Sequence, residues 1–437
     1  MNPEQQFRIL SRQVEEIIPR EDLLQRLGAG RPLRVKQGFD PTAPDIHLGH
    51  TVGLRKLRAF QDFGHQVVLI IGDYTGMVGD PSGRNRTRPQ LTREELENNA
   101  ATYLEQFFRV LERDPQPPRL PVEVHRNGEW FSRMGFADVL QMVSQYTVSQ
   151  MLERDDFSER YQAEQPIGIH ELLYPLMQGR DSVEIRADLE IGATEQKFNL
   201  LVGRELQRQA GQPAQVIMTL PVLPGLDGTQ RMSKRLGNYI GVTDPPGQMF
   251  GKVMSLPDRV MPIYWSLVAD RTDDESREIE ADLGLAAGAL DRGVAAAGAG
   301  EAGAVPEPRV NPMLVKKRLG ERLVTMYHGL EAAAGARGDF EAQFSRREVP
   351  QNLEEFGREA LLRRTGGEDG ALIVHMVMAS GAAGSRSAAS RLLEQGAVDL
   401  DGERVRAWDT PVDAGREHVL RVGRRMFRYV PGSSGGR

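Results

Sequence analysis

Two histidines stand three residues apart in GFDPTAPDIHLGHT, residues 38–51, with Leu48 and Gly49 between them. His47 and His50 would share one face at the start of a helix. A metal site would need a third and a fourth ligand, and the chain has no cysteine, no HExxH and no clustered histidines to supply them. Two satisfied histidines on a surface or in a core are the plain structural reading of an HxxH. A third reading uses position: the first turn of a helix carries unpaired N–H groups and partial positive charge, so it attracts anions. Two imidazoles there can hydrogen-bond phosphate oxygens or a ribose, and Gly49 leaves room for a flat base against the backbone. Such a site calls for a second cationic element. GTQRMSKRLGN, residues 228–238, offers one in Arg231, Lys234 and Arg235, although a basic loop alone is ordinarily a solvated face.

The frame that would position these groups is legible as alternating strands and helices. Asp45 can cap a helix over about 46–63 with Gly64 as its stop. QVVLIIGDYTG follows as a strand buried on both faces, and DLEIGATEQ (188–196) and QVIMTLPVLPGLDG (from 215) repeat the pattern of an apolar strand emptying into a polar loop. The expected fold is α/β: a doubly wound parallel sheet, Rossmann-like, over 1–245, with a helical insert at about 92–180. In such a sheet ligands bind outside the carboxyl ends of the strands, here Gly38–Asp40, Gly72–Asp80, Gly192–Gln196 and Gly225–Arg235. Tyr174, Gln178 and Asp181 would share one helix face, although Pro175 and Gly179 argue against a regular helix there.

At 437 residues the chain should hold two or three domains, and its lack of cysteine removes disulfides and thiol catalysis. The net charge of −6 means that any nucleic acid must be held by local basic patches. No apolar run has the length of a membrane span, and MNPEQQFRILSRQVEEI has neither a secretory nor a transit pattern, so a cytoplasmic setting is expected. Residues 246–360 read as helical, with Asn311 as a cap before Pro312; the Ala/Gly-rich stretch near 285–308 reads as an exposed loop. After a linker at 361–371, residues 372–437 read as a small α+β module. It has a helix carrying Arg386 and Arg391, a tight turn at Asp401-Gly402 and a basic strand with Arg424 and Arg425.

HLGH and RMSKR resemble the HIGH and KMSKS signatures of class I aminoacyl-tRNA synthetases. Together with FDPTAPDIHLGH, GDPSGR, LLYPLMQGRDS, GATEQKFNLLVGRELQ and LDGTQRMSKRLGNYIG, they resemble the bacterial tyrosyl-tRNA synthetase family over about 34–255 and on through the helical region. The last module is similar to the ribosomal-protein-type RNA-binding domain that ends such enzymes, and the helical region would then bind the anticodon stem. The resemblance implies activation of tyrosine with ATP to tyrosyl-adenylate, then transfer to tRNA(Tyr), by a homodimer with no prosthetic group. Mg2+ would accompany ATP, with no dedicated protein ligand evident.

It also implies roles. Thr42 and His47 would hold the γ-phosphate, His50 would face the ribose and Gly49 the adenine, and Lys234 with Arg231 would follow the pyrophosphate. Asp40, Glu195, Leu226, Met232, Ser233 and Arg235 would complete the ATP site. Asp80, Tyr174 and Gln178 would bind the substrate ammonium, Asp181 would accept from the phenol, and Lys36 and Gln196 would join them. Arg386, Arg391, Arg424 and Arg425 would contact RNA. The sequence departs from the family pattern at Lys36, where many relatives have a tyrosine, and at GATEQ, where Ala193 and Glu195 replace glycine and aspartate. Arg235 replaces the serine or threonine that ends the mobile loop. The competing expectations are a tryptophan-specific relative, an HxGH nucleotidylyltransferase, and an RNA-binding paralogue with impaired adenylation.

Overall fold

The computed structural model describes residues 2–82, 91–292, 308–342, 353–365, 371–423 and 425–431. They divide into two compact units, Met1–Arg337 and Gly338–Arg437.

In the first unit, six strands among the described residues form one sheet: β1 (Glu16–Ile18), β2 (Arg34–Phe39), β3 (Gln66–Ile71), β4 (Glu123–Arg126), β5 (Leu189–Ala193) and β6 (Val216–Leu220). Their order is β1-β6-β5-β2-β3-β4, with β1 antiparallel at one edge and the other neighbours parallel. Every residue of Val67–Ile71 and of β6 is buried, as a sheet covered on both faces requires. The chain steps outward from β2 through β3 to β4, then returns to β5 on the other side of β2. The order therefore reverses between β2 and β5, and the crevice lies at their carboxyl ends. The region read as a helical insert contains β4, whose short, half-exposed EVHR carries no apolar signature.

Helix α1 (Leu48–Asp62) starts from His47, not Asp45. Residues 46–48 are held extended against 240–242: Leu48 N donates to Ile240 O, Val242 N donates to Ile46 O, and His47 bridges to Gly241. That long-range pairing delays the helix by two residues. Helix α2 (Ile169–Glu184) runs unbroken through Pro175, contrary to the expectation from Pro175 and Gly179. Gly179 is instead a crossing point with α3 (Lys197–Gln209): a Cβ there would sit 3.2 Å from the Gly203 Cα. Close packing of two bare backbones outweighs the one amide donor that proline removes. In the stretch read as a helical domain, α4 (Pro246–Ser255) and α5 (Pro312–His328) fall within the unit Met1–Arg337 and meet with the Phe250 ring over Gly320. Residues 293–307 of the Ala/Gly-rich stretch lie outside the described residues.

In the second unit, β7 (Glu354–Gly357), β8 (Val398–Leu400), β9 (Glu403–Val405), β10 (His418–Val422) and β11 (Arg425–Val430) form a sheet in the order β7-β11-β10-β8-β9. It packs on α6 (Ile373–Ala379) and α7 (Arg386–Glu394) through Val374, Val377, Leu393, Leu420, Phe427 and Tyr429. Phe356 and Leu361 belong to this core, so the module begins earlier than 372 and the stretch read as a linker is partly built into it. The turn falls at Asp401 (φ 55°) and Gly402 (φ 87°), as expected. Among the described residues no helix is long and apolar enough to cross a membrane.

Candidate active site

A cleft of about 810 Å³ opens over the ends of β2 and β5. Asp40, Thr42, His47, Gly49 and His50 line it from the β2–α1 connection, and Asp80, Tyr174, Glu195 and Gln196 from the next strand ends and α2. Arg231, Met232, Ser233, Lys234 and Arg235 close it from the loop after β6. The histidine pair and the cationic loop thus share one cavity.

The helix tip is built by the histidines themselves. His47 Nδ1 accepts from Gly49 N (3.2 Å), and His50 Nδ1 accepts from His47 N (3.2 Å). The rings stack with centroids 3.8 Å apart. A Cβ at Gly49 would lie 3.0 Å from the His47 ring, so any larger residue would press on that ring. Burial, then the charges of His50 and Lys234, hold His47 far below the usual imidazole range; burial, then Lys234, lowers His50 to about 3. Both are therefore neutral at physiological pH. With each Nδ1 acting as acceptor, the network assigns the proton to Nε2, which leaves two N–H donors for an anion.

Lys234 Nζ donates to the carbonyls of Ala43 (3.3 Å) and Asp45, beside His47. Desolvation lowers it to about 8, against the pull of Asp45. Arg231 pairs with Glu195 across the cleft. Leu226 does not line the cavity: its amide donates to Asn238 O, and Leu223, closer to β6, supplies the apolar wall with Val222.

Below the cleft a narrow chamber of about 20 Å³, lined by Tyr174, Gln178, Asp181 and Gln196, continues between β2 and α2. It is too tight for an aromatic ring without side-chain movement. Asp181, 3% exposed, accepts from Trp130 Nε1 (3.0 Å) and more distantly from Asn127 Nδ2 (3.4 Å). Burial pushes its carboxyl up to about 7, against Lys36, Asn127 and Trp130. Asp80 is held below the carboxylate range although burial opposes this, because Arg154, Ser82 and Gln196 all favour its charge. Gln196 Nε2 reaches it at 2.8 Å, and Tyr174 Oη donates to Asp40 Oδ2 at 2.9 Å.

Lys36, expected at the substrate, stands behind the chamber. It is fully buried, lines neither cavity, and pairs with Glu190 at 2.9 Å. Four supporting residues escaped the sequence reading. Asn127 and Trp130 follow β4 inside the insert read as helical, Arg154 holds Asp80 from outside any motif, and Asn199, inside GATEQKFNLLVGRELQ but given no role there, holds Gln178. The Asn-Gly turn in HRNGEW was the one signal for the first pair.

In the second unit, Arg386 lies 4.8 Å over the Trp408 ring, Arg391 is exposed on the same helix, and Arg425 pairs with Glu354 at 3.1 Å. Arg424 lies outside the described residues.

Residues 29–287 match the model of the family described as tRNA synthetases class I (W and Y), and the chain belongs to this family. It is 48% identical to the tyrosine–tRNA ligase of Oleidesulfovibrio alaskensis over 427 residues, 98% of each chain. It is 44% identical to the tyrosine–tRNA ligase of Thermotoga maritima, over 99% of this chain and 98% of that one. Its fold is similar to a C-terminally truncated mitochondrial tyrosyl-tRNA synthetase of Aspergillus nidulans, with a TM-score of 0.60 and 17% identity over 78% of this chain and 94% of that one.

Proposed function

We infer that the chain activates tyrosine with ATP and transfers it to tRNA(Tyr). The observation that carries this reading is one arrangement: a neutral imidazole pair at a helix tip lines the same cleft as Lys234, and that cleft shares Asp40, Tyr174 and Gln196 with the chamber that holds Asp181. Relatives named tyrosine–tRNA ligase over nearly the whole length support it, against a tryptophan-specific or non-catalytic alternative.

In the first step a carboxylate oxygen of tyrosine attacks the α-phosphorus of ATP. A P–O bond forms, the bond to the β-phosphate oxygen breaks, and pyrophosphate leaves. In the second a ribose hydroxyl of the terminal adenosine attacks the carbonyl carbon and AMP leaves. The substrate brings its own nucleophile to the first step, so the protein's work is positioning and charge stabilisation. His47 and Thr42 hold the γ-phosphate and His50 the ribose, while Gly49, Met232 and Ser233 border the adenine side. Asp40 and Glu195 serve the nucleotide, the latter after exchanging Arg231 for the ribose. Arg231, Lys234 and Arg235 follow the pyrophosphate, and Mg2+ arrives with the phosphates. Asp80, Tyr174, Gln178 and Gln196 bind the amino-acid backbone, and Asp181 accepts the phenolic hydrogen.

Amino-acid-dependent exchange of pyrophosphate into ATP tests this directly: tyrosine should stimulate it and phenylalanine and tryptophan should not. Stimulation by tryptophan alone would overturn the assignment. Arg386, Arg391, Arg424 and Arg425 are the proposed RNA contacts. Removing residues 343–437 should therefore leave exchange nearly intact and cut tRNA charging by roughly tenfold or more, since phosphate contacts dominate such affinity. Equal loss of both activities would count against a separate RNA-binding role. A homodimer fits the exposed apolar side chains Phe136, Leu140, Val148 and Ile169, and sedimentation at the monomer mass would rule it out. The setting is proposed to be cytoplasmic.

A further inference from the structure

Gln178 has a side chain that can turn either way, and only one way suits an ammonium group. Its carbonyl oxygen accepts from a cation; its NH2 group would repel one. In the fold the amide is held at both ends. Gln178 Nε2 donates to Glu190 Oε1 at 2.9 Å, and Gln178 Oε1 accepts from Asn199 Nδ2 at 2.9 Å, itself oriented by Arg154 on Asn199 Oδ1 at 3.1 Å. An anion at one end of the chain and a cation at the other set both amides. One lone pair of Gln178 Oε1 remains for a substrate.

Behind Glu190 stands Lys36. Its three N–H donors go to Glu190 Oε1, Ser182 Oγ and Gln178 O, each at 2.9 Å. Glu190 Oε2 accepts from Ser182 Oγ at 2.9 Å and Gln215 Nε2 at 2.6 Å. Both charged side chains are fully buried, and neither touches the cleft or the chamber.

We propose that Glu190, paired with Lys36, is a positioning residue for amino-acid selection: it turns the Gln178 amide so that an acceptor faces the substrate's amino group. The lysine that departs from the family pattern thus acts behind the pocket, through a partner 154 residues away in sequence. The inference rests on the tyrosine-activation reading.

The test compares two ligands that differ in the amino group alone, L-tyrosine and 3-(4-hydroxyphenyl)propanoate, by equilibrium binding to the full chain. Lys36→Met/Glu190→Met removes both charges at nearly constant volume. It should weaken tyrosine by roughly tenfold, the size of a hydrogen bond to a charged group, and leave the propanoate unchanged. Lys36→Met/Glu190→Gln, which keeps an amide in place, should give a smaller loss in the same direction and serves if the first variant does not fold. Equal weakening of both ligands, or of neither, would overturn the proposal. Wild-type protein that binds neither ligand would instead count against tyrosine activation itself.

Discussion

Lys234→Ala should slow adenylate formation by about 10²–10³-fold, the usual cost of one preorganised charge donor, while the dissociation constant for tyrosine stays within about twofold. The geometry separates the two effects. Lys234 stands over the helix tip, bonded to the carbonyls of Ala43 and Asp45, whereas tyrosine would lie beneath, beside Asp181. Its charge matters most when pyrophosphate departs, so the loss should appear in the rate of the chemical step. Burial lowers its ammonium to about 8, so the free enzyme loses this cation as pH rises through 8. The kcat/KM for ATP should therefore fall on that alkaline side, and the limb should vanish in the alanine variant. Equal weakening of tyrosine binding and adenylation, measured by single-turnover kinetics, would refute a role confined to the transition state.

Asp181→Asn should lower kcat/KM for tyrosine by about 10²-fold or more and narrow its advantage over phenylalanine. The carboxylate is the acceptor that a phenol satisfies and a phenyl ring leaves unpaired. The same change should stabilise the unliganded protein at pH 8. Asp181 sits near 7 in the folded chain and ionises at far lower pH when unfolded. Between those values the folded state binds the extra proton, so this group's contribution falls as pH rises from 4 through 7. Above 7 the full penalty, of the order of 4 kcal/mol for a fully buried carboxyl, is present. Thermal unfolding should thus show asparagine raising the midpoint at pH 8 and doing little at pH 4. An equal gain at both pH values would mean that the buried charge is not the cause.

The parts of the fold that were legible are those written in local pattern. The run at 67–71 is apolar throughout and that at 216–220 is apolar but for Thr219, so β3 and β6 and the strand ends that carry the site could be placed. What failed depended on distant partners. The cap moved to His47 because residues 46–48 pair with 240–242. Helix α2 survived Pro175 because Gly179 meets Gly203, and β4 hid because three of its four residues are polar and none is buried. Within the site, the histidines and the 231–235 loop announced themselves by spacing. Lys36 could not, since a lysine in a strand gives no hint of a carboxylate from another strand. Asn127 and Trp130 were lost with β4, the strand that carries them to Asp181.

The bare contact between Gly179 and Gly203 makes a single plank of two segments with different duties. One carries Tyr174, Gln178 and Asp181; the other continues directly from Glu195 and Gln196. Neither can slide without dragging its neighbour, so the gauge for the amino acid and the rail for the sugar share one mechanical datum. Refitting this protein to a bulkier side chain therefore has to proceed by whittling within the hollow, because prising the helices apart would misalign the nucleotide as well.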